Sequence, residues 1–342
     1  MRYLVFGTGA VGALVGGRLA LAGFPVSFLA RPGIAEAIQT RGLHLTGDRT
    51  FGVVEDAHAL TTLAEKERPD LILLTVKTYD LETATAEIEA AFADPPTIVS
   101  LLNGIGSEEI LSSRIGAERV IPATLTTAVQ MIEPGVIQVT RRRGIGVGLG
   151  HALAAAFIDE LKTADFLVEA YPDGVRMKWS KLLTNIVANA SSAILGWDPS
   201  QVYAHPGTAR IEIESLRETV RVMRSMGYSP QDLPGVSVSL LARALSFPHQ
   251  FIRPLLGKIV SDGRGDKKPS LHYDIGRGKS EVIRLNGAVV EAGSRLDTPT
   301  PANQLLTDTL MKLVNHKEDP EKFQNNPELL IQLAHEYSVP GI

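Results

Sequence analysis

The sequence predicts an α/β fold: an N-terminal domain on a mostly parallel sheet covered by helices, followed by an all-α C-terminal domain. Three observations carry this. Short apolar runs alternate with helical patterns up to about residue 169, and such alternation builds parallel sheets with helices on their faces. A glycine-rich hexapeptide separates the first run from the first helix. Beyond Pro172 strand patterns nearly vanish and helical ones take over.

Taken in order, residues 3–6 read as a short apolar strand, 10–22 as a helix of small residues and 25–29 as a second strand. Residues 71–76 are an apolar run interrupted only by Thr75, as expected of a strand buried on both faces. Residues 81–91 have helical spacing and precede another buried strand, 97–102. Residues 120–123, 136–140, 146–148 and 166–169 continue the strand pattern. From Gly174 onward, 178–193, 208–226, 238–244, 282–292 and 300–314 read as helices. Pro206-Gly207 and Pro234-Gly235 punctuate them. The expected division is residues 1–171, residues 172–315, and a polar tail, 316–342, with a last helix at 327–337.

Composition bounds the function. A chain of 342 residues fits two domains of about 150 residues each. Hydrophobic residues at 44% and charged ones at 21% describe an ordinary globular protein. A net charge of −4 without a long block of one sign argues against nucleic acid or a membrane surface as partner. The run Arg141-Arg142-Arg143 reads as a solvated strand end rather than a phosphate contact. The absence of cysteine excludes disulfides, thiolate catalysis and zinc–cysteine sites. The eight histidines show no pair at metal-ligand spacing, so no metal site is expected. The apolar N-terminal stretch is broken by glycines and Arg18, unlike a secretory signal. No other run nears the roughly 18–20 residues that span a bilayer, and a cytoplasmic location is expected.

Gly7-Thr8-Gly9-Ala10-Val11-Gly12 matches G-x-G-x-x-G. Alone the pattern is weak, but here a strand ends at Phe6 and a helix begins near Ala10. In that setting the first glycine permits the tight turn. The second lets backbone approach a pyrophosphate, and the third lets helix pack close to strand. The helix N-terminus then offers N–H groups and a positive dipole end to phosphates. The expectation is a Rossmann-type dinucleotide site over residues 1–31. The second strand ends in Leu29-Ala30-Arg31, with no carboxylate before Glu36. NAD sites place an acid there for the ribose 2′-hydroxyl. A guanidinium instead suits a 2′-phosphate, which favours NADPH. Arg31 is alternatively a plain surface residue ahead of Pro32.

Ligands of open α/β sheets lie beyond the carboxyl ends of the strands. Lys77 and Asn103-Gly104 occupy two such ends, where either residue is equally an ordinary loop residue. On the helix read at 178–193, Lys181, Asn185 and Asn189 recur every fourth residue. They would share one face over roughly 12 Å. Their neighbours Leu182, Leu183, Ile186 and Val187 are apolar. Asparagine is a poor helix former, so two on one face suggest a lysine acid with amides that orient a polar substrate. A solvated stripe is the bland alternative. Farther on come Ser270 to Asp274, Lys279-Ser280-Glu281 and Leu285-Asn286-Gly287. Glu281 is at its plainest a first-turn acid favoured by the helix dipole.

Together these pieces resemble the ketopantoate reductase (2-dehydropantoate 2-reductase) family. The match comprises the glycine loop, Val76-Lys77, Leu102-Asn103-Gly104-Ile105-Gly106, Lys178-Trp179-Ser180-Lys181 with Asn185 and Asn189, and Ser270 to Asp274 with Glu281 and Asn286-Gly287. They occur in the family's order, over about residues 1–315. The resemblance implies a Rossmann domain followed by a helical one. It implies NADPH-dependent reduction of 2-dehydropantoate to (R)-pantoate, on the route to pantothenate and coenzyme A. Lys181 would donate the proton to the nascent alkoxide. Asn103 would touch both nicotinamide and substrate. Asn185, Asn189 and Ser270 would bind substrate, Glu281 would lie near cofactor and lysine, and Arg31 and Lys77 would meet the adenosine ribose phosphate. Three departures are visible. The stretch between Asp274 and Glu281 is shorter by a residue than the usual pattern. Ser280 stands where threonine is usual. A further substrate-binding asparagine after Asn189 is missing, with Pro199 near its place. That gap leaves a different 2-oxo acid open as substrate. A non-catalytic NADP(H)-binding regulator is the remaining alternative, disfavoured by Lys181, Asn185 and Glu281 together. The helical region has enough apolar surface to support a homodimer.

Overall fold

The computed structural model describes residues 1–49, 52–63, 68–264 and 270–342. These divide into two units. The first holds Met1–Leu102, Gly106–Lys178 and Asp232–Val236; the second holds Asn103–Ile105, Trp179–Gln231 and Ser237–Ile342.

In chain order the first unit contains β1 (Tyr3–Phe6), α1 (Ala10–Leu21), β2 (Val26–Leu29), α2 (Pro32–Arg41), β3 (Leu43–Thr46), β4 (Gly52–Val54), β5 (His58–Leu60) and β6 (Leu71–Leu74). There follow α3 (Leu81–Ala91), β7 (Thr97–Ser100), α4 (Ser107–Ile115), β8 (Val120–Leu125), β9 (Ala128–Glu133), β10 (Val136–Arg141), β11 (Ile145–Gly148), α5 (Ala154–Thr163) and β12 (Val168–Tyr171). Eight strands form one sheet in the order β12-β11-β8-β7-β6-β1-β2-β5. Its pairs are parallel except β11 with β8. The all-apolar strands have a simple cause: both faces are covered. Tyr3, Val5, Leu71 and Leu73 face one core, and Leu4, Phe6, Ile72 and Leu74 the other, as the two-residue period of a strand requires.

A second sheet, β4-β3-β10-β9, is not expected from the sequence as a separate sheet; of its strands the sequence predicts only β10, read at 136–140. This sheet accounts for the small residues of α1, which lies against both sheets. A Cβ on Gly16 would meet Val5 at 2.4 Å, and one on Gly17 would meet Leu45 at 2.9 Å. The basic run at 141–143 is a strand end, as expected. Arg142 pairs with the Asp165 carboxylate at 2.7 Å. Hydrogen bonds from Arg142 and Arg18 hold that carboxyl below its ordinary value.

The helix α6 (Gly174–Asn185) begins in the first unit and ends in the second. The second unit continues with α7 (Ala190–Leu195), α8 (Pro199–Ala204), α9 (Pro206–Ser225), α10 (Val238–Ala244), α11 (His249–Arg264), α12 (Asn286–Arg295) and α13 (Pro301–Val314). Its central helix, α9, buries three carboxylates, Glu212, Glu214 and Glu218. Two serve helix starts. Glu218 accepts the N–H groups of Ala302 and Asn303 at 2.8 and 2.9 Å and the Asn303 amide at 2.7 Å, which satisfies the first turn of α13. Residues 316–342, read as a polar tail, carry α14 (Pro320–Phe323) and α15 (Pro327–Glu336). They pack into this unit: Asn325 N–H donates to Leu195 O at 3.0 Å, and Tyr337 donates to Asp308 at 2.9 Å. Among the described residues no helix is long and apolar enough to cross a membrane.

Candidate active site

The chain runs from β1 outward to β2 and β5, then returns to β6 on the other side of β1. The β1/β6 boundary is therefore the topological switch point, beside which ligands of such sheets bind. Gly7 follows β1 there, and Thr75 to Lys77 follow β6. Thr75 donates its hydroxyl to Gly7 O at 2.7 Å. The N–H groups of Gly7 and Thr8 both donate to Leu29 O, at 3.2 and 3.0 Å. The Thr8 hydroxyl does the same at 2.9 Å. The turn expected at the first glycine is thus tied to the end of β2, with the N–H groups of Gly7 and Thr8 engaged there.

Donors for a phosphate would come from the next turn. The first-turn N–H groups of α1, on Ala10, Val11 and Gly12, have no intrahelical acceptor. Gly9 at the N-cap supplies no side-chain cap, and no acid stands in the first turn. A Cβ on Gly9 would meet nothing within 4 Å: space lies open where a pyrophosphate would approach. On Gly12 it would lie 2.5 Å from the Thr75 hydroxyl and 2.7 Å from Gly7 O. These residues fit a dinucleotide phosphate. Arg31 is exposed just beyond β2, at the N-cap position of α2 ahead of Pro32, with no side-chain cap bond of its own. Lys77 is exposed at the end of β6, where it precedes a short 3-10 turn. A cavity of about 840 Å³ lined by Arg2, Tyr3, Pro25 and Val26 opens at the opposite, amino ends of β1 and β2 and is no part of this site.

In the second unit the single helix expected over 178–193 is two. Helix α6 stops at Asn185, and Ala188 takes a left-handed φ of +46° before α7 begins. The physical reason lies on α9. The buried Glu212 accepts Ala188 N–H at 2.7 Å and the Ser191 hydroxyl, and so caps the restart from another helix. Lys181 and Asn185 keep their one-turn spacing on α6. Asn189 does not continue their stripe. The break turns it so that its Nδ2 donates to Asn185 O at 3.1 Å and to the Ser270 hydroxyl at 3.2 Å. Its Oδ1 accepts Leu271 N–H at 3.3 Å. Asn185 Nδ2 in turn donates to Asn103 Oδ1 at 3.2 Å. Asn103, the neighbours Asn185 and Asn189, and Ser270, drawn from three separate stretches of the chain, thus form one hydrogen-bonded row.

Glu281 opens a 3-10 turn, Glu281–Arg284, and α12 starts only at Asn286; the continuous helix expected over 282–292 is interrupted at Leu285. Glu281 is buried, and its N–H and the Ser280 hydroxyl both donate to Asp274, at 3.1 and 3.0 Å. Serine thus does what the usual threonine's hydroxyl could do. The turn's last carbonyl, Arg284 O, accepts Ile105 N–H at 2.9 Å. That bond seats the Asn103-Gly104-Ile105 segment on the turn that begins with Glu281. Asn286 is fully buried and bonds Asn303 at 2.9 Å, a packing role. Sequence reasoning gave no part to Asp274, Glu212 or Lys178; Lys178 was visible only as a letter of the matching motif.

Residues 3–151 match the profile of the family described as ketopantoate reductase PanE/ApbA, and residues 173–314 match that of its C-terminal domain. A protein of Pyrococcus horikoshii named 2-dehydropantoate 2-reductase is 29% identical over 312 residues, 90% of this chain and 95% of that one. The crystal structure of a PanE/ApbA family ketopantoate reductase from Ralstonia eutropha superposes with a TM-score of 0.78 at 27% identity, over 93% of this chain and 99% of that one. A D-mandelate dehydrogenase bound to NADH and anilino(oxo)acetate shares the fold, with a TM-score of 0.74 at 18% identity, over 92% of this chain and 99% of that one.

Proposed function

The chain belongs to the ketopantoate reductase family, and we propose from this that it reduces 2-dehydropantoate to (R)-pantoate with NADPH, a step toward pantothenate and coenzyme A. It is an oxidoreductase of the nicotinamide-dinucleotide-dependent kind, acting on a small molecule. The row Asn103–Asn185–Asn189–Ser270 carries the reading. A small polar acid needs several fixed donors and acceptors on an otherwise apolar surface, and this row supplies them one turn from Lys181.

When bound, the dinucleotide would supply the hydride that the ketone carbon takes. The chain does the rest. Ala10, Val11 and Gly12 would hold the pyrophosphate on the α1 N-terminus, and Arg31 and Lys77 would meet the ribose phosphate. Lys181 gives its proton to the carbonyl oxygen as charge develops there. Asn103, Asn185 and Ser270 bind and orient the acid. Both N–H groups of Asn189 are spent on Asn185 O and Ser270, so it acts on the substrate chiefly by aiming Ser270. The family resemblance gives Glu281 the part of the carboxylate that serves the lysine and the cofactor.

NADPH consumption with 2-dehydropantoate, 2-oxoisovalerate and pyruvate, repeated with NADH, tests this. A clear preference for 2-dehydropantoate with NADPH is expected. One observation favours a second reading, an NADP-dependent reductase of another 2-oxo acid. The asparagine expected after Asn189 is missing, and Pro199 there starts α8 behind the Asp198 cap. Preference for another acid would select that reading. Tight NADPH binding without turnover of any acid would point to a regulator.

A further inference from the structure

Lys178 is 3% exposed, and the reading above gives it no task. Its ammonium donates to Ser100 O at 3.1 Å and to Leu102 O at 2.8 Å. Glu108, in the first turn of α4, lies 2.8 Å from it, with its side chain 13% exposed. A buried ammonium is costly beside an apolar side chain of similar length. Packing α6 on the end of β7 needs no charge, and a leucine or methionine would do it. What the ammonium adds is donors. Here they go to the last residue of β7 and to Leu102 beyond it, where the sheet's own ladder is running out. Leu102 O also belongs to the same planar peptide as the Asn103 nitrogen. A bond to that oxygen fixes the plane from which Asn103 departs. On the other side, Gly104 at φ +80° packs against Arg284 O, where a Cβ would come within 2.3 Å, and Ile105 N–H bonds the same oxygen. Asn103 is therefore gripped on both sides. The Lys178 side is held from a position one helical turn ahead of Lys181.

We infer that Lys178, with Glu108 as its counter-ion, is a positioning residue for Asn103, holding the Leu102–Asn103 peptide so that the side chain meets the reacting groups. This rests on the reading of Asn103 as a contact to nicotinamide and substrate. The test uses Lys178→Met combined with Glu108→Gln, so that no unpaired charge remains, together with Lys178→Arg and Asn103→Ala. Melting temperature, kcat, KM and the backbone amide resonance of Asn103 are measured for each. The expected double variant folds, moves the Asn103 resonance and lowers kcat by about tenfold or more, with a smaller change in KM. It adds little to the loss already caused by Asn103→Ala, since two steps of one path do not add. Lys178→Arg recovers part of kcat. A folded double variant with an unmoved Asn103 resonance overturns the inference. So does a rate loss fully additive with Asn103→Ala, the mark of general loosening. If the double variant does not fold, Lys178→Leu combined with Glu108→Gln, which likewise removes the donors and leaves no unpaired charge, is judged by the same two criteria. Wild-type protein that turns over no 2-oxo acid would defeat the functional reading alone, and the Asn103 resonance would still decide the positioning role.

Discussion

At the scale of the residue, the site depends on a few groups whose tasks separate cleanly. On the proposed reading Lys181 gives the proton, and it lies far along the chain from the phosphate loop. Lys181→Ala should therefore lower kcat by about 10²–10⁴-fold and leave NADPH affinity, read by fluorescence titration, near that of the wild type. Loss of affinity with turnover intact would remove Lys181 from the acid role. Arg31 is exposed, and on the proposed reading its fork of donors would meet a 2′-phosphate. A charge-assisted bond is worth about 1.5–3 kcal/mol. Arg31→Ala should thus weaken NADPH by about tenfold or more and leave NADH nearly untouched. Equal effects on both cofactors would show that Arg31 contributes only general charge. Thr8 illustrates how such assignments move. A polar letter inside a phosphate fingerprint invites a ligand role, yet its hydroxyl and its N–H both end on Leu29 O.

At the scale of the element, the packing of α1 and the break between α6 and α7 are the features that shape the site. A methyl on Gly12 would press on Gly7 O, a backbone atom that cannot swing aside. Overpacking of this kind costs about 1–3 kcal/mol, more than the roughly 1 kcal/mol that alanine adds to helix propensity. Gly12→Ala should lower the melting temperature and abolish tight NADPH binding together; unchanged NADPH affinity would show that the loop has slack the contacts do not suggest. The break before α7 is held by the Glu212 carboxylate at 2.7 Å from Ala188 N–H. Glu212→Ala orphans two buried donors at about 1–3 kcal/mol each. It should destabilise the protein in urea melts and raise KM, because Asn189 and hence Ser270 lose their placement. Normal KM in a folded variant would uncouple the break from the substrate row.

For the molecule as a whole, pH reaches stability through the centre of the second unit. Burial pushes the Glu218 carboxyl up from 4.5 to about 7, against the pull of the Ala302 and Asn303 N–H groups it accepts. The unfolded carboxyl loses its proton near 4.5, and the folded one holds it until about 7. Between these values the native state binds more protons, so stability falls as pH rises through the window. The full effect is at most about 3 kcal/mol. Urea melts on either side of the window should show this decline, and Glu218→Gln should flatten it. A wild-type profile that rises across the same range would mean that the N–H donors outweigh burial.

Much of this protein was legible in its letters. The run read at 71–76 announced a strand covered on both faces, because such a strand takes apolar residues in succession; Leu71–Leu74 of it form β6. The glycine loop between a strand and a helix announced a dinucleotide, and the spacing of Lys181 and Asn185 announced one face of one helix. These are local properties, fixed by backbone geometry and by which face meets water. Tertiary structure alone decided the rest. The second sheet explains why α1 is built of glycine and alanine. Glu212, from another helix, decides that α6 ends before Asn189. The carbonyls of Ser100 and Leu102 decide that Lys178 is buried. In each case the cause is a partner far away in sequence, and a buried charge or a tight contact takes its meaning from the partner that satisfies it.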